Sequence, residues 1–224
     1  MLGALQMTTP DAVGGATPDA QVLSIGGVTT KTRWLLVTAS TSAGSGSLRV
    51  LVWRRLRGLG ALYLQQSVCL LPDRRAVKAD LEALTGRVER EGGSMRVLRI
   101  TVSDPEQNAA LIDDLNAARD EEYGEVLERL PSFFAEIAHE TARDNATFEE
   151  VEESEADLNR FRDWLAKIEA RDYFGAPLAA QVAQQMSAAQ AALEEFEAAA
   201  LRADEAAAPS RQARRGLEVV DGST

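Results

Sequence analysis

The sequence contains one cysteine, Cys69, and one histidine, His139. A lone cysteine excludes a disulfide framework, and so few thiol and imidazole groups fall short of the usual zinc ligand sets. A Ser-His-Asp or Cys-His catalytic arrangement has to use His139, which lies in an acidic stretch with helical periodicity. We therefore expect no metal site, no cofactor and no catalytic activity.

Long apolar runs are also missing. No run reaches the roughly 18 apolar residues of a membrane-spanning helix, so we expect none. The first 30 residues lack the basic start and continuous apolar stretch of a secretory signal, so we expect a cytoplasmic protein. Aromatic residues make up only 5% of the chain and alanine is abundant, which favours helices packed by small residues.

Charge is distributed unevenly along the chain, whose net charge is −11. Residues 31–104 carry 13 Lys and Arg against 6 Asp and Glu, whereas residues 105–224 carry 11 against 27. Such polarity between halves indicates that the basic half meets an anion. The anion is a nucleic acid, a small oxyanion or the acidic half of the same chain.

The basic half has the pattern of a small α/β domain. Four short apolar runs predict strands, and two stretches with apolar residues at helical spacing predict helices, with Asp73 as the N-cap of the second. The strands are predicted at residues 34–39, 61–64, 67–71 and 95–102, and the helices at 48–59 and 77–88. The second and third strands form either a hairpin or one long strand that bends. This βαββαβ order predicts an α+β fold, with a ferredoxin-like antiparallel sheet that carries two helices on one face.

The acidic half has helical periodicity throughout. Asp104 and Pro105 predict a helix start, and Pro131 predicts a kink or break in that helix. Residues 147–170 and 177–203 predict an antiparallel helical hairpin. The predicted organisation is a disordered segment at 1–30, the basic ferredoxin-like domain at 31–104, the acidic helical region at 105–203 and a disordered tail at 204–224.

Basic side chains cluster on the two predicted helices of the α/β domain. Arginine suits planar and tetrahedral anions because its guanidinium donates two parallel hydrogen bonds. The predicted nucleic-acid or oxyanion binding residues are Arg54, Arg55, Arg57, Arg74, Arg75 and Lys78. The alternative is that these residues form solvated helix faces with ion pairs to the acidic half.

Three further features carry weaker signals. The loop Thr41–Ser47 offers backbone N–H groups to an anion at the start of a helix, or is simply flexible. The acidic run at residues 149–157 is either a solvated helix face or a cation site. Cys69 lies in an apolar strand and is expected to be buried and inert.

Several segments together resemble the N-terminal domain of the ChrB chromate-resistance regulators. Four of them are Trp34–Val37, Leu51–Ala61, Ser67–Pro72 and Arg119–Tyr123. A fifth stretch, residues 155–174, matches at Glu155–Leu158, Trp164, Ile168 and Arg171–Phe174. The resemblance implies a chromate-responsive, DNA-binding repressor of a chromate-efflux operon. It places Arg54, Arg55 and Arg57 in the family's basic helix. Full-length members carry a second, C-terminal chromate-resistance domain, which we do not expect in this sequence.

A more distant likeness is to the ferredoxin-fold nucleases of CRISPR spacer acquisition. Those nucleases need an acidic metal ligand at the end of the first strand, where this chain has Thr38, Ala39 and Ser40. We therefore expect a regulator that binds DNA and forms a homo-oligomer, a dimer that pairs through the helical hairpin at 147–203. The alternative is a non-catalytic protein-interaction or dimerisation module without DNA binding.

Overall fold

The structure, a computed structural model, describes residues 32–41, 46–143 and 146–220. The strands in this part are β1 (Arg33–Ser40), β2 (Leu62–Gln65), β3 (Val68–Pro72) and β4 (Ser94–Thr101). The helices are α1 (Gly46–Gly58), α2 (Arg75–Arg90), α3 (Pro105–Ala142), α4 (Phe148–Glu169) and α5 (Ala179–Val220). The predicted α+β class is confirmed, whereas the predicted disordered segment at 1–30 lies outside the described residues.

The four strands form one antiparallel sheet in the order β2-β3-β1-β4. The central strand β1 pairs with β3 on one side and with β4 on the other, so that Leu35 lies between Leu71 and Arg99. Strands β2 and β4 are the two edges of this sheet. The finer ferredoxin-like assignment stays a prediction.

Helices cover both faces of the sheet. On one face, Leu35 and Val37 are buried beneath Leu48 of α1 and Leu81 of α2. On the other face, the fully buried Trp34 packs with Leu70 and with Leu115 of α3. The indole Nε1 of Trp34 donates a hydrogen bond of 2.9 Å to Asn108 of α3. The sequence predicted helices on one face alone, and α3 supplies the additional layer.

Helix α3 links the sheet to the other two helices. Its first half packs on the sheet, and its second half is buried against α4 and α5 through residues such as Val126 and Phe133. The helix continues through Pro131, where the sequence predicted a kink or break. Leu130 and Phe133, on either side of this proline, are buried in the same cluster, which holds the helix together there.

Helices α4 and α5 form the predicted hairpin, and the bounds at its turn are close to the prediction. Helix α4 ends at Glu169 and α5 begins at Ala179, where the sequence predicted 170 and 177. They pack together and with α3 in one apolar cluster. Helix α5 reaches Val220, whereas the sequence predicted that the hairpin ends at residue 203. None of the helices in the described part of the chain combines the length and apolarity needed to cross a membrane.

Asp73 does not cap α2, contrary to the prediction. The N-cap residue is Arg74, and it makes no side-chain capping bond. The Asp73 carboxylate instead lies 2.8 Å from Lys78 Nζ, 2.9 Å from Arg99 Nε and 3.8 Å from Arg33 Nε, and its side chain is 3% exposed. Three cations from three elements therefore hold the carboxylate away from the helix terminus.

The ion pairs of Asp73 predict a pH-dependent contribution to stability. The hydrogen bond from Lys78 lowers the pKa of Asp73, while burial opposes this effect and Arg99 and Arg33 add to it. The contribution is therefore present above the ordinary aspartate pKa of about 3.9 and is lost as the pH falls through the lowered native pKa. We expect Asp73→Asn to lower the free energy of unfolding by about 1 kcal/mol at neutral pH, because the partner cations are partly exposed.

Urea denaturation of the wild type and Asp73→Asn at neutral and acidic pH measures this difference. The two proteins are expected to converge in stability as the pH falls through the lowered native pKa of Asp73. A difference that does not change with pH would contradict the assigned role of the carboxylate.

Candidate nucleic-acid interface

Helix α1 presents arginine to solvent and contains no acidic residue. Leu48, Val52 and Leu56 recur at helical spacing and are buried on the sheet. This spacing turns Arg54 and Arg55 outward, and both are exposed. An acid-free helix in a chain of net charge −11 is a local concentration of positive charge.

A groove of about 430 Å³ lies between α1 and α2 and is lined by four arginines. Its basic residues are Arg54 and Arg55 from α1, and Arg87 and Arg90 from α2. Leu51, Leu59 and Leu84 form part of its lining, and Asp80 is the acidic side chain among the lining residues. Two helices thus contribute arginines to the lining of one surface groove.

The six predicted binding residues do not form one site. Arg54 and Arg55 line the groove, while Arg57 lies over the Trp53 ring with its guanidinium carbon 5.1 Å from the ring centroid. Arg74 donates a hydrogen bond of 3.4 Å to the Tyr173 carbonyl. Arg75 is the exposed first residue of α2, and Lys78 is held by Asp73. The structure adds Arg87 and Arg90 of α2 to the residues that line the groove. Their spacing of three residues, which puts both on one side of a helix, was the sequence signal that could have indicated them.

Salt bridges in the described residues stay within one half of the chain. The salt bridges of the α/β domain join residues within the range 33–99, and those of the helical region join residues within the range 119–171. None of them joins a basic group of residues 31–104 to a carboxylate of residues 105–224. The sequence alternative, in which the acidic half neutralises the basic half, therefore finds no support in the described ranges.

Other sequence-predicted features are placed as follows. Residues 42–45 of the predicted anion loop lie outside the described part of the chain, and Gly46 and Ser47 belong to the first turn of α1. The acidic run begins in the first turn of α4, where Thr147 accepts a hydrogen bond of 3.3 Å from the Glu150 amide. No group of three or more His, Cys, Asp or Glu among the described residues is arranged to hold a metal ion.

Cys69 is buried in β3, as the sequence predicted. Burial raises the pKa of its thiol to about 12, so the thiol stays protonated at neutral pH. We expect a disulfide reagent such as dithionitrobenzoate to modify the native protein far more slowly than the urea-unfolded protein. Equal rates in the two states would contradict the burial of this side chain.

A polar junction joins the α/β domain to the helical region. The Glu122 carboxylate accepts hydrogen bonds from Arg119 at 3.0 Å and from two nitrogens of Arg171 at 2.7 and 3.0 Å. Tyr123 donates to Asp172 at 3.2 Å, and Tyr173 donates to the Leu59 carbonyl at 2.8 Å. The junction therefore connects the end of α1, the middle of α3 and the α4–α5 turn.

Arg119 is the buried centre of this junction. It is 7% exposed, and burial lowers its pKa while Glu122 opposes that shift. Burial also raises the pKa of Tyr123, with the Asp172 carboxylate as the next cause. Arg119 Nη2 donates to Glu122, whereas Arg119 Nε and Nη1 are buried without a hydrogen-bond partner among the described residues. The bonds of Glu122, Tyr123 and Tyr173 join the three elements of the junction.

A comparison with family models identifies the chain. The model described as "Protein ChrB, N-terminal" matches residues 49–207. The chain belongs to this family. The matched range contains the whole arginine groove, the buried cysteine and the Arg119 junction.

A curated ChrB protein is similar to part of this chain. Protein ChrB of Cupriavidus metallidurans (strain ATCC 43123 / DSM 2839 / NBRC 102507 / CH34) is 31% identical over 105 residues. That match covers 46% of this chain and 31% of the relative, so the chain matches less than a third of that ChrB protein. No solved structure matches the chain.

Proposed function

We propose that this ChrB-family chain is a cytoplasmic, non-catalytic regulator of chromate resistance that represses transcription by binding DNA. The observation that carries the proposal is the groove lined by Arg54, Arg55, Arg87 and Arg90. Arginine from two helices suits the paired phosphates of a nucleic-acid backbone and, for some side chains, the O6 and N7 atoms of guanine. The negative charge of the rest of the chain repels DNA phosphates and so limits binding to this face.

The three residues that end β1 favour a non-catalytic role. Thr38, Ala39 and Ser40 end this strand, and none of them can ligate a divalent cation as a carboxylate does. The proposed response is to chromate or a similar oxyanion, which competes with phosphate for guanidinium donors because both anions are tetrahedral.

The proposal also includes a homo-oligomer, and edge strand β4 supports this part. In the described residues β4 pairs only with β1, and Leu98 on this edge strand is 51% exposed. An exposed edge strand with an apolar side chain is suited to pairing with a second chain. The same observation favours the alternative function, a dimerisation or interaction module that does not bind DNA.

Fluorescence anisotropy with labelled DNA from the gene's own upstream region tests the proposal. We expect binding that weakens steeply between low and moderate salt, because each phosphate contact releases counterions. Chromate is expected to weaken binding further at constant ionic strength, with sulfate as the matched control anion. Light scattering of the same samples reports the oligomeric state.

The absence of binding under all of these conditions would contradict the regulatory function. An oligomer without DNA affinity would then favour the interaction module. Binding that chromate and sulfate weaken equally would retain the DNA-binding function but overturn the specific oxyanion response.

A further inference from the structure

A second depression of about 1090 Å³ lies beside α1, at the end of β1 and along the β2–β3 hairpin. Among the described residues that line it, none is Asp or Glu, although Asp and Glu outnumber Lys and Arg in this chain by 35 to 24. Arg49 and Arg96 are among the lining residues, together with hydroxyl and amide side chains such as Ser67 and Gln66. An acid-free cleft with two arginines selects for an anion.

The cleft also carries an aromatic platform. Trp53 lines it and is 46% exposed, and Arg57 lies over its ring at 5.1 Å from the centroid. Val50 and Leu64, which also line the cleft, are exposed as well. An exposed tryptophan held by a cation on one face is a surface on which a planar ring can stack.

The tyrosine and the cysteine that line the cleft stay uncharged at physiological pH. Burial raises the pKa of Tyr63 to about 12, with Cys69 as the next cause and Arg57 opposing the shift. Burial raises the pKa of Cys69 to about 12 as well. Neither side chain becomes an anion near neutral pH, so neither repels an anionic ligand.

This cleft is distinct from the arginine groove. Arg49 and Trp53 line the cleft, whereas Arg54 and Arg55 line the groove. In a helix of 3.6 residues per turn these two pairs project from opposite flanks of α1. An inference about the cleft therefore does not depend on the proposed binding of duplex DNA by the groove.

We propose that the cleft binds a nucleotide, whose base stacks on Trp53 and whose phosphates pair with Arg49 and Arg96. The planar base covers the exposed aromatic and apolar surface, and the phosphates form hydrogen-bonded ion pairs with the two guanidinium groups. A free nucleotide and an unpaired nucleotide of a single strand share this chemistry. The experiment has one arm for each source.

Isothermal titration calorimetry of the full chain with ATP and with a short oligodeoxyadenylate tests the proposal. Inorganic triphosphate, which lacks a base, is the third probe. We expect Trp53→Ala to weaken binding of the nucleotide probe by about tenfold and to leave triphosphate binding unchanged. Trp53→Tyr is expected to restore most of the affinity because it keeps an aromatic ring.

Charge variants separate the phosphate contacts from general electrostatics. The double variant Arg49→Ala with Arg96→Ala is expected to weaken both ATP and triphosphate by at least about tenfold. Arg160→Ala with Arg162→Ala, on α4, removes the same charge outside the cleft and is expected to leave binding unchanged. Circular dichroism melting curves confirm that each variant is folded before titration.

Binding of ATP alone identifies a free nucleotide as the ligand, and binding of the oligonucleotide alone identifies a single strand. The proposal is overturned if neither probe binds the wild type, or if Trp53→Ala binds both as tightly as the wild type does. The double variant Arg54→Ala with Arg55→Ala separates the groove from the cleft. It is expected to reduce duplex DNA binding and to retain nucleotide binding.

Discussion

Replacing Arg54 and Arg55 together with alanine is expected to weaken binding to the upstream DNA by about a hundredfold at low salt. Both side chains line the α1–α2 groove, and neither forms a salt bridge in the described residues. Loss of two phosphate contacts also lowers the slope of log affinity against log salt by about 2. Anisotropy titrations at several salt concentrations measure both effects.

The matched control for this variant is Arg160→Ala with Arg162→Ala on α4. It removes the same net charge from the helical region, where the neighbouring side chains are largely acidic. We expect its DNA affinity to stay within about threefold of the wild type. Equal losses in the two double variants would show that net charge governs binding, and would contradict a role for the groove.

Gly60→Ala is expected to lower the free energy of unfolding by about 3 kcal/mol. Gly60 follows α1 in the left-handed region, at a φ of 72°, where the Ala61 amide bonds to the Leu56 carbonyl. A Cβ at this position would lie 2.6 Å from Arg119 Nη1 and 3.0 Å from Arg171 Cβ. The substitution therefore combines backbone strain with displacement of the buried junction.

Gly92→Ala is the matched control for the backbone effect. Gly92 ends α2 in the same type of turn, at a φ of 79°, and a Cβ there meets nothing within 4 Å. We expect this variant to lose only about 1 kcal/mol, measured by the same urea denaturation. Comparable losses for Gly60→Ala and Gly92→Ala would contradict the contact between Gly60 and the Arg119 junction.

Apolar periodicity predicted the elements of the fold because it reports burial directly. The alternation in β1 places Leu35 and Val37 on one face and Trp34 on the other, and all three are buried. Short-range polar signals were also reliable where the partner is close in sequence. Asp104 accepts a hydrogen bond of 2.9 Å from the Glu106 amide, as its position before Pro105 predicted.

Sequence patterns did not reveal partners that are distant along the chain. Asp73 has the spacing of a helix cap, but its paired cation Arg99 belongs to β4. Lys78 was predicted to bind an external anion, and its pairing with Asp73, five residues earlier, was not expected because Asp73 was assigned to the helix cap. The bond between Arg171 and Glu122 spans 49 residues, and no helical period indicates it.

The arginine groove was predicted in part. The sequence predicted both Arg54 and Arg55 of α1 as binding residues, but it contains no information on which face of α2 lies opposite them. That orientation depends on Val77, Leu81 and Val88, which are buried on the sheet and thereby turn Arg87 and Arg90 toward α1. The packing of two helices on one sheet face therefore determines which basic residues meet.

Photo-cross-linking from the groove tests the proposed DNA interface most directly. Because Cys69 is 1% exposed, a photoreactive label attaches selectively to a cysteine introduced at the surface. Ala83 lines the groove and Ala180 is exposed on α5, so Ala83→Cys and Ala180→Cys form a matched pair. We expect a cross-link to the upstream DNA from position 83 and only background cross-linking from position 180. Equal cross-linking from both positions, or cross-linking from position 180 alone, would contradict it.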